Sequence, residues 1–315
     1  MTDEITPQSQ QSPSDDARHW FEQGRLHEKD RNYTQAIDAY SKAIELNPQF
    51  ADAFYERAGL HEMQENYAAA FADYTEVIRL NPENENAYFH RGEVQEAQGN
   101  DVGALADYEE VQRFAPGDSR TLESRGILRR KFGDYAGAIA DHTKLLEGDP
   151  ENPVAHYNRG IAYDDWGQYD QAIEDYTAAL HLYPDFEEAY FNRAITHYRL
   201  GSYAAALADL EMAFHFEHDE TAIHAVRGEV YFASGEYTKA LNDFQEAFEL
   251  NPRNSEVAGG LAITYHVFGD ILEALALWRQ LIAKDERHKD ADWTGKEFEW
   301  RPELIEEARK LIAKL

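Results

Sequence analysis

Residues 153–186 read PVAHYNRGIAYDDWGQYDQAIEDYTAALHLYPDF. Small and apolar residues recur in this stretch every three or four positions, which is the spacing of a helix with one packed face. The pattern breaks at Gly167, resumes at Tyr169 and ends at Pro184. Glycine commonly ends a helix, and proline cannot continue one. The stretch therefore predicts two helices joined by a short turn.

The same 34-residue pattern runs eight times without insertion, from Ala17 to His288. Counted from the first residue of each repeat, place 20 is always alanine and place 8 is always glycine or alanine. Place 24 is aromatic or histidine in seven repeats, place 32 is proline in six and place 17 is tyrosine in six. One helix pair cannot bury its own apolar faces, so neighbouring pairs must stack to cover them.

These residues resemble the tetratricopeptide-repeat (TPR) family, and the resemblance covers residues 17–288. It implies an all-α TPR α-solenoid, a right-handed superhelix of antiparallel helix pairs. Residues 1–16 are polar and are predicted to form a disordered tail. Residues 289–315 are predicted to form a linker and a capping helix beginning at Pro302, which covers the exposed end of the last repeat.

The composition limits the class of partner. Sixty acidic and thirty basic residues give a formal charge of −30, which disfavours nucleic acid and anionic membranes because both are bound mainly through lysine and arginine. The chain has no cysteine, which excludes disulfides, cysteine zinc sites and a thiol nucleophile. We find no signal peptide and no long apolar run, and we expect a cytoplasmic protein.

Two places vary together along the array. Place 7 is arginine and place 23 is aspartate in repeats two to seven, and both are absent from repeats one and eight. The two places lie at nearly the same height on facing helices, so we predict six bidentate arginine–aspartate pairs. The alternative, a ladder of arginines that binds phosphate, is disfavoured because each arginine is matched by a carboxylate.

Residues with catalytic or metal-binding chemistry form no recognisable set. Six of the thirteen histidines fall on packing places. His215 and His218, beside Glu217, could share a helix face and bind a metal, but a solvated linker is the ordinary interpretation. We identify no phosphate-binding loop and no Ser/His/Asp set. The sequence therefore predicts a protein that is not an enzyme and has no cofactor and no metal site.

The family resemblance implies that the first helices of the repeats line a concave groove that binds extended peptides or partner helices. Asn158 and Asn192, at place 6, resemble groove asparagines that bond a peptide backbone in family members. Place 5 carries aromatic residues, which form either an exposed stripe or a row packed on the next repeat. The predicted groove residues are Tyr55, Glu56, Phe89, Glu93, Glu96, Arg120, Arg130, Lys131, Tyr157, Asn158, Phe191, Asn192 and Arg199.

The function favoured by these observations is a non-catalytic scaffold that binds another protein, through a peptide or helix with basic or mixed charge. Self-association stays open, and binding of nucleic acid or membrane is not expected. The alternative is a small-ligand sensor or a chaperone-like holdase. Its basis is Ala258–Gly259–Gly260, which removes side chains from the first helix of repeat eight and could make room for a ligand.

Overall fold

A computed structural model describes residues 13–315, and within this range the chain is helical without strands. The predicted all-α class is thereby confirmed. The α-helices are α1 Pro13–Lys29, α2 Tyr33–Leu46, α3 Ala51–Met63, α4 Tyr67–Leu80, α5 Glu85–Ala97, α6 Asp101–Phe114, α7 Ser119–Lys131, α8 Tyr135–Gly148, α9 Pro153–Asp165, α10 Tyr169–Leu182, α11 Glu187–Arg199, α12 Tyr203–His215, α13 Glu220–Ala233, α14 Tyr237–Leu250, α15 Ser255–Phe268, α16 Ile271–Lys284, α17 Ala291–Glu297 and α18 Pro302–Ile312. A short 3₁₀ helix, Glu286–Lys289, follows α16.

Each predicted repeat forms one helix pair, and the turn between its helices lies where the glycine pattern places it. Gly99 has φ +75° and Gly269 has φ +84°, the left-handed conformation that glycine adopts easily. Repeats one and two place Arg31 and Glu65 there, with φ 59° and 58°. The glycine therefore makes the turn easier to form, but it is not required.

The N-terminal boundary differs from the prediction. Of the predicted tail, residues 1–16, the first twelve lie outside the described residues. The last four are part of α1, which begins at Pro13. No helix in the described part of the chain is long and apolar enough to cross a lipid bilayer.

The chain divides into two compact units, one ending at Gly148 and the other spanning Asp149–Leu315. The first unit contains α1–α8, and the second contains α9–α18. The sequence predicted one uninterrupted array and did not show this division. The right-handed superhelix concerns all eight repeats together and stays a prediction.

Within a repeat, the glycine at place 8 leaves space for the ring at place 24. A Cβ atom added to Gly92 would lie 2.6 Å from the ring of Tyr108, and one added to Gly24 would lie 2.4 Å from Tyr40. Both rings are fully buried. The small residues of the pattern thus let a large aromatic side chain fill the core between paired helices.

The six predicted arginine–aspartate pairs are confirmed. In each pair, Nε and Nη2 of the arginine donate to the two carboxylate oxygens at 2.5–2.9 Å. The aspartates are only 3–6% exposed. A buried carboxylate is unfavourable unless it is paired. The pairs are Arg57–Asp73, Arg91–Asp107, Arg125–Asp141, Arg159–Asp175, Arg193–Asp209 and Arg227–Asp243.

The predicted capping helix is α18. Its apolar face, formed by Leu304, Ala308 and Leu311, is fully buried in the core of the last repeat. Proline occupies its first turn, where the missing N–H is not needed. The sequence did not predict α17 or the 3₁₀ helix that precede it.

We expect Arg57→Leu to lower the free energy of unfolding by about 3–5 kcal/mol, because Asp73 is left buried without its bidentate partner. The matched control is the double variant Arg57→Leu/Asp73→Leu. Repeat eight carries Leu261 and Leu277 at these two places and packs them in its core. The double variant should therefore recover most of the loss in urea denaturation. Equal destabilisation of the single and double variants would show that the ion pair is not what the repeat depends on.

Candidate functional site

The inner face of the first unit, formed by α1, α3, α5 and α7, carries a row of glutamates at place 12 of repeats one to three. Each accepts a hydrogen bond from the buried tyrosine at place 24 of the same repeat. We call Glu28, Glu62 and Glu96 the glutamate row. The bonds are Tyr40–Glu28 (2.7 Å), Tyr74–Glu62 (2.9 Å) and Tyr108–Glu96.

These tyrosines hold the glutamates in fixed positions. Burial raises the pKa of all three phenols far above the ordinary value, and the neighbouring carboxylates raise it further. Each phenol therefore remains a hydrogen-bond donor across the physiological range. Repeat four has His142 at place 24 and Arg130 at place 12, so the row ends where the tyrosine is lost.

Further carboxylates lie beside the row. Burial raises the pKa of Glu56, and the negative charges of Glu28 and Asp52 add to the effect, although Arg25 opposes it. Burial also raises the pKa of Glu96, against the hydrogen bond from Tyr108, which lowers it. The inner face of this unit thus holds partly buried acidic groups close together.

One group on this face has the donor atoms of a metal site. Single ligand atoms of Glu62, His90 and Glu93 lie within 4.8 Å of one another, and among residues 13–315 no other such group is found. His90 Nδ1 lies 2.8 Å from Glu93 Oε2. One imidazole and two carboxylates can accept a metal ion, but they equally suit the ammonium or guanidinium group of a protein ligand. The candidate pair His215/His218 is not part of such a group.

Of the two interpretations left open for place 5, the exposed stripe does not apply to Phe21 and Phe89, which are only 8% and 4% exposed. The Arg120 guanidinium lies over the Phe89 ring at 4.4 Å, and Tyr55 is half-buried against Tyr74. In the second unit, Tyr157 packs against Phe186 at 4.7 Å, and Phe191 packs against His218 at 4.3 Å. Residues at place 5 thus pack on neighbouring side chains, as the alternative interpretation had it.

The predicted basic residues of repeat four have partners within the first unit. Arg120 Nη2 donates to Asn86 Oδ1 at 3.2 Å and to Asp118 Oδ2 at 3.1 Å. Lys131 forms an ion pair with Asp101. Arg130 is half-buried on α7. Arg120 and Lys131 are thus engaged by acids of their own, although the charge of Lys131 still lowers the pKa of Glu96.

The predicted asparagines and Arg199 lie in the second unit. Asn192 Nδ2 donates to the Tyr157 hydroxyl at 2.7 Å, so this amide is engaged within the chain. Asn158 is half-buried on α9. Arg199 bonds to Asp164 and to Glu299, a residue of the C-terminal extension. The sequence did not indicate that this extension reaches the inner face.

The space expected at Gly259 and Gly260 is filled by the chain itself. A Cβ atom at Gly259 would lie 3.0 Å from the ring of Trp300 and 3.3 Å from Phe298. At Gly260 it would lie 2.4 Å from Phe244. The glycines therefore make room for aromatic side chains of this protein rather than for a separate ligand.

Family models described as tetratricopeptide repeat match residues 21–84, 64–119, 153–186 and 231–294, together more than half of the chain. The chain belongs to the tetratricopeptide-repeat family. A comparison with curated proteins gave no match for this TPR protein.

Solved structures of TPR proteins share the fold. The C-terminal part of a TPR repeat-containing protein from Cytophaga hutchinsonii aligns with a TM-score of 0.62 at 18% identity, over 76% of this chain and 99% of that one. A TPR protein from Parabacteroides merdae aligns with a TM-score of 0.57 at 21% identity, over 79% and 98%. YrrB, a TPR protein with an unusual peptide-binding site, aligns with a TM-score of 0.54 at 21% identity, over 59% and 96%.

The second unit of this TPR protein also contains a buried carboxyl group. Glu229 is 4% exposed and accepts a hydrogen bond from Trp300 Nε1 at 3.1 Å. Burial raises its pKa well above the ordinary value, and the adjacent Glu256 raises it further. The folded protein therefore keeps this carboxyl group neutral up to a higher pH than the unfolded chain does.

We expect the contribution of Glu229 to the stability of the TPR protein to fall as pH rises above the unfolded-state pKa of glutamate, about 4.3. The folded state binds more protons than the unfolded state between that value and the raised pKa of Glu229, so unfolding becomes easier with each step upward in pH. Glu229→Gln should flatten this part of the profile of melting temperature against pH. Glu174→Gln, an exposed control, should leave the profile unchanged. A profile of Glu229→Gln that is parallel to the wild-type profile would contradict this account.

Proposed function

We propose that the protein is a non-catalytic interaction scaffold and that the inner face of its first unit binds a basic segment of a partner protein. TPR proteins are generally protein–protein interaction scaffolds, and a neighbour in fold is described as having a peptide-binding site. The observation that carries the proposal is the glutamate row together with Glu56 and Glu93. These acids are held on one face, while Arg120 and Lys131 are already paired.

The electrostatics of this face favour a cationic ligand. Burial and neighbouring acids disfavour the charged forms of Glu56 and Glu96, and the pKa values of both groups are raised for this reason. A lysine or arginine placed between these carboxylates stabilises the charged forms and forms charge-assisted hydrogen bonds. The formal charge of −30 also accelerates encounter with a basic partner.

The small-ligand alternative was based on space expected beside Gly259 and Gly260, and that space is filled. Trp300 and Phe298 occupy the space beside Gly259, and Phe244 occupies the space beside Gly260. The proposed role is therefore recognition of a protein segment.

We expect the triple variant Glu56→Gln/Glu93→Gln/Glu96→Gln to bind a fluorescent arginine–alanine peptide about tenfold more weakly than the wild type. Each lost pair contributes roughly 0.5 kcal/mol, and about 1.4 kcal/mol corresponds to a factor of ten. Fluorescence anisotropy at several salt concentrations measures the effect. The dependence of affinity on salt should also decrease, because fewer ion pairs form.

The matched control removes the same number of charges from the outer helices of the first three repeats. In Glu45→Gln/Glu76→Gln/Glu110→Gln, each change disrupts only a surface ion pair with a cation on the same helix. This control should retain most of the wild-type affinity. An equal loss in both triple variants would show that net charge alone attracts the peptide and would contradict a site on the inner face.

The affinity for the same peptide should fall as pH drops from neutral toward the raised pKa values of Glu56 and Glu96. Protonation removes the charges that the peptide contacts, so binding of the cation must displace protons. In the inner-face triple variant this pH dependence should be largely lost. A wild-type affinity that stays constant over this range would mean that these two carboxyl groups do not contact the ligand.

A further inference from the structure

The inner face of the second unit is occupied by four residues of the chain itself. We call Phe298–Arg301, the link between α17 and α18, the return segment. It lies against α11, α13 and α15, the first helices of repeats six to eight. Phe298 adds packing beside Gly259, and the three side chains that follow it each make a contact of different chemistry.

Trp300 is the central anchor of the return segment. Its indole is 4% exposed and packs against α15 at Gly259, where a Cβ atom would lie only 3.0 Å from the ring. Its Nε1 donates to the buried carboxyl group of Glu229 on α13. A buried tryptophan with a satisfied N–H is a typical anchor of peptide recognition, because it buries a large area and has only two side-chain torsions to fix.

Arg301 binds the end of α11. Its Nη1 donates to the backbone oxygens of Tyr198 at 3.2 Å and Arg199 at 2.7 Å. The last carbonyls of a helix carry partial negative charge, so a guanidinium is a favourable ligand for them, and it adds to the bond that the Tyr198 carbonyl already accepts from Gly201 N–H. The ring of Tyr203 lies 5.7 Å from the guanidinium carbon and adds a cation–π contact.

Glu299 completes the set. Its carboxylate pairs with Arg199, which Asp164 on α9 also holds. An acid, a tryptophan and an arginine are thus each received by a group that fits their chemistry. The receiving groups are the Arg199 guanidinium, the Glu229 carboxyl and the α11 carbonyls.

The docking of the return segment includes unfavourable terms. Glu299 has φ 52°, a left-handed conformation that is strained for a residue with a side chain. Arg301 Nε is buried and lies 3.6 Å from Glu303 Oε2, too far for a hydrogen bond, so this donor is only partly satisfied. A segment without the connections to α17 and α18 can avoid both terms.

We propose that this surface is a peptide-recognition site for the sequence acidic residue–tryptophan–arginine, and that a partner protein carrying this sequence exchanges with the return segment. The site is independent of the basic-segment site proposed for the first unit. The return segment competes from within the chain at an effective concentration on the order of millimolar. Free peptide therefore binds the wild-type protein weakly and binds strongly only where the internal competitor is removed.

The probe is a fluorescent peptide with the sequence of residues 297–302, Glu-Phe-Glu-Trp-Arg-Pro. In the full-length variant Trp300→Ala/Arg301→Ala the site is vacated, and the peptide should bind at least about tenfold more tightly than to the wild type. The matched control is Trp293→Ala, which removes the same residue type from α17, where it packs on Arg287 and His288. This control should behave as the wild type does.

A peptide with alanine in place of tryptophan and arginine should not bind the vacated variant. Adding Gly259→Leu to that variant should abolish binding of the original peptide, because the new side chain fills the seat of the indole. Equal affinity of the probe for the wild type, the vacated variant and the Trp293→Ala control, or no binding to any of them, would overturn the proposal. Binding that survives Gly259→Leu would also overturn it, because the peptide would then lie elsewhere.

A second measurement uses the unmodified protein, in case the vacated variant does not fold. Excess peptide should increase the rate of tryptic cleavage after Lys296, measured by mass spectrometry, because displacement of the return segment loosens α17. Trypsin does not consume the probe, whose only arginine precedes proline. The alanine-substituted peptide should leave the rate unchanged. Identical rates with both peptides would mean that the return segment does not exchange, and the proposal would be wrong.

Discussion

The buried aspartate at place 23 is the constraint on which the repeats depend. A carboxylate that is 3–6% exposed cannot stay charged without a partner, and the facing arginine supplies two short hydrogen bonds. Because both bonds must form, the second helix of each of these six repeats has one register against the first. The terminal repeats have Gln23 with Ala39 and Leu261 with Leu277 at these places. Register there rests on apolar packing, and in repeat eight α18 adds to it.

Much of the fold could be predicted from the sequence because its signals are local and repeated eight times. Glycine and proline indicate where helices end, and the small residues indicate where paired helices come close together. The arginine–aspartate pairs appear as two places that change together. The division after Gly148 could not be predicted, since the 34-residue period continues through it. The path of residues 289–301 could not be predicted either, because those residues occur once and follow no repeat.

The site was predicted less well for a related reason. Helical spacing indicates the direction in which a side chain points from its helix. It does not indicate which residue of a neighbouring repeat covers that side chain. Phe89 leaves α5 toward the inner face and is then covered by Arg120 of the next repeat. Lys131 had the right place for a groove cation but pairs with Asp101. The glutamate row could have been found from the joint occurrence of glutamate at place 12 and tyrosine at place 24.

One backbone pattern therefore supports two inner faces with different chemistry. Place 12 is a tyrosine-held glutamate in repeats one to three, whereas in repeat six it is Tyr198, whose ring lies 6.0 Å from the guanidinium carbon of Arg301. Place 5 is glycine only in repeat eight, where Gly259 admits an indole. The core places cannot vary in this way without loss of packing, so differences in binding must arise on the first helices. The proposed recognition of a cationic segment by one unit, and of tryptophan by the other, depends on a few substitutions there and leaves the core places unchanged.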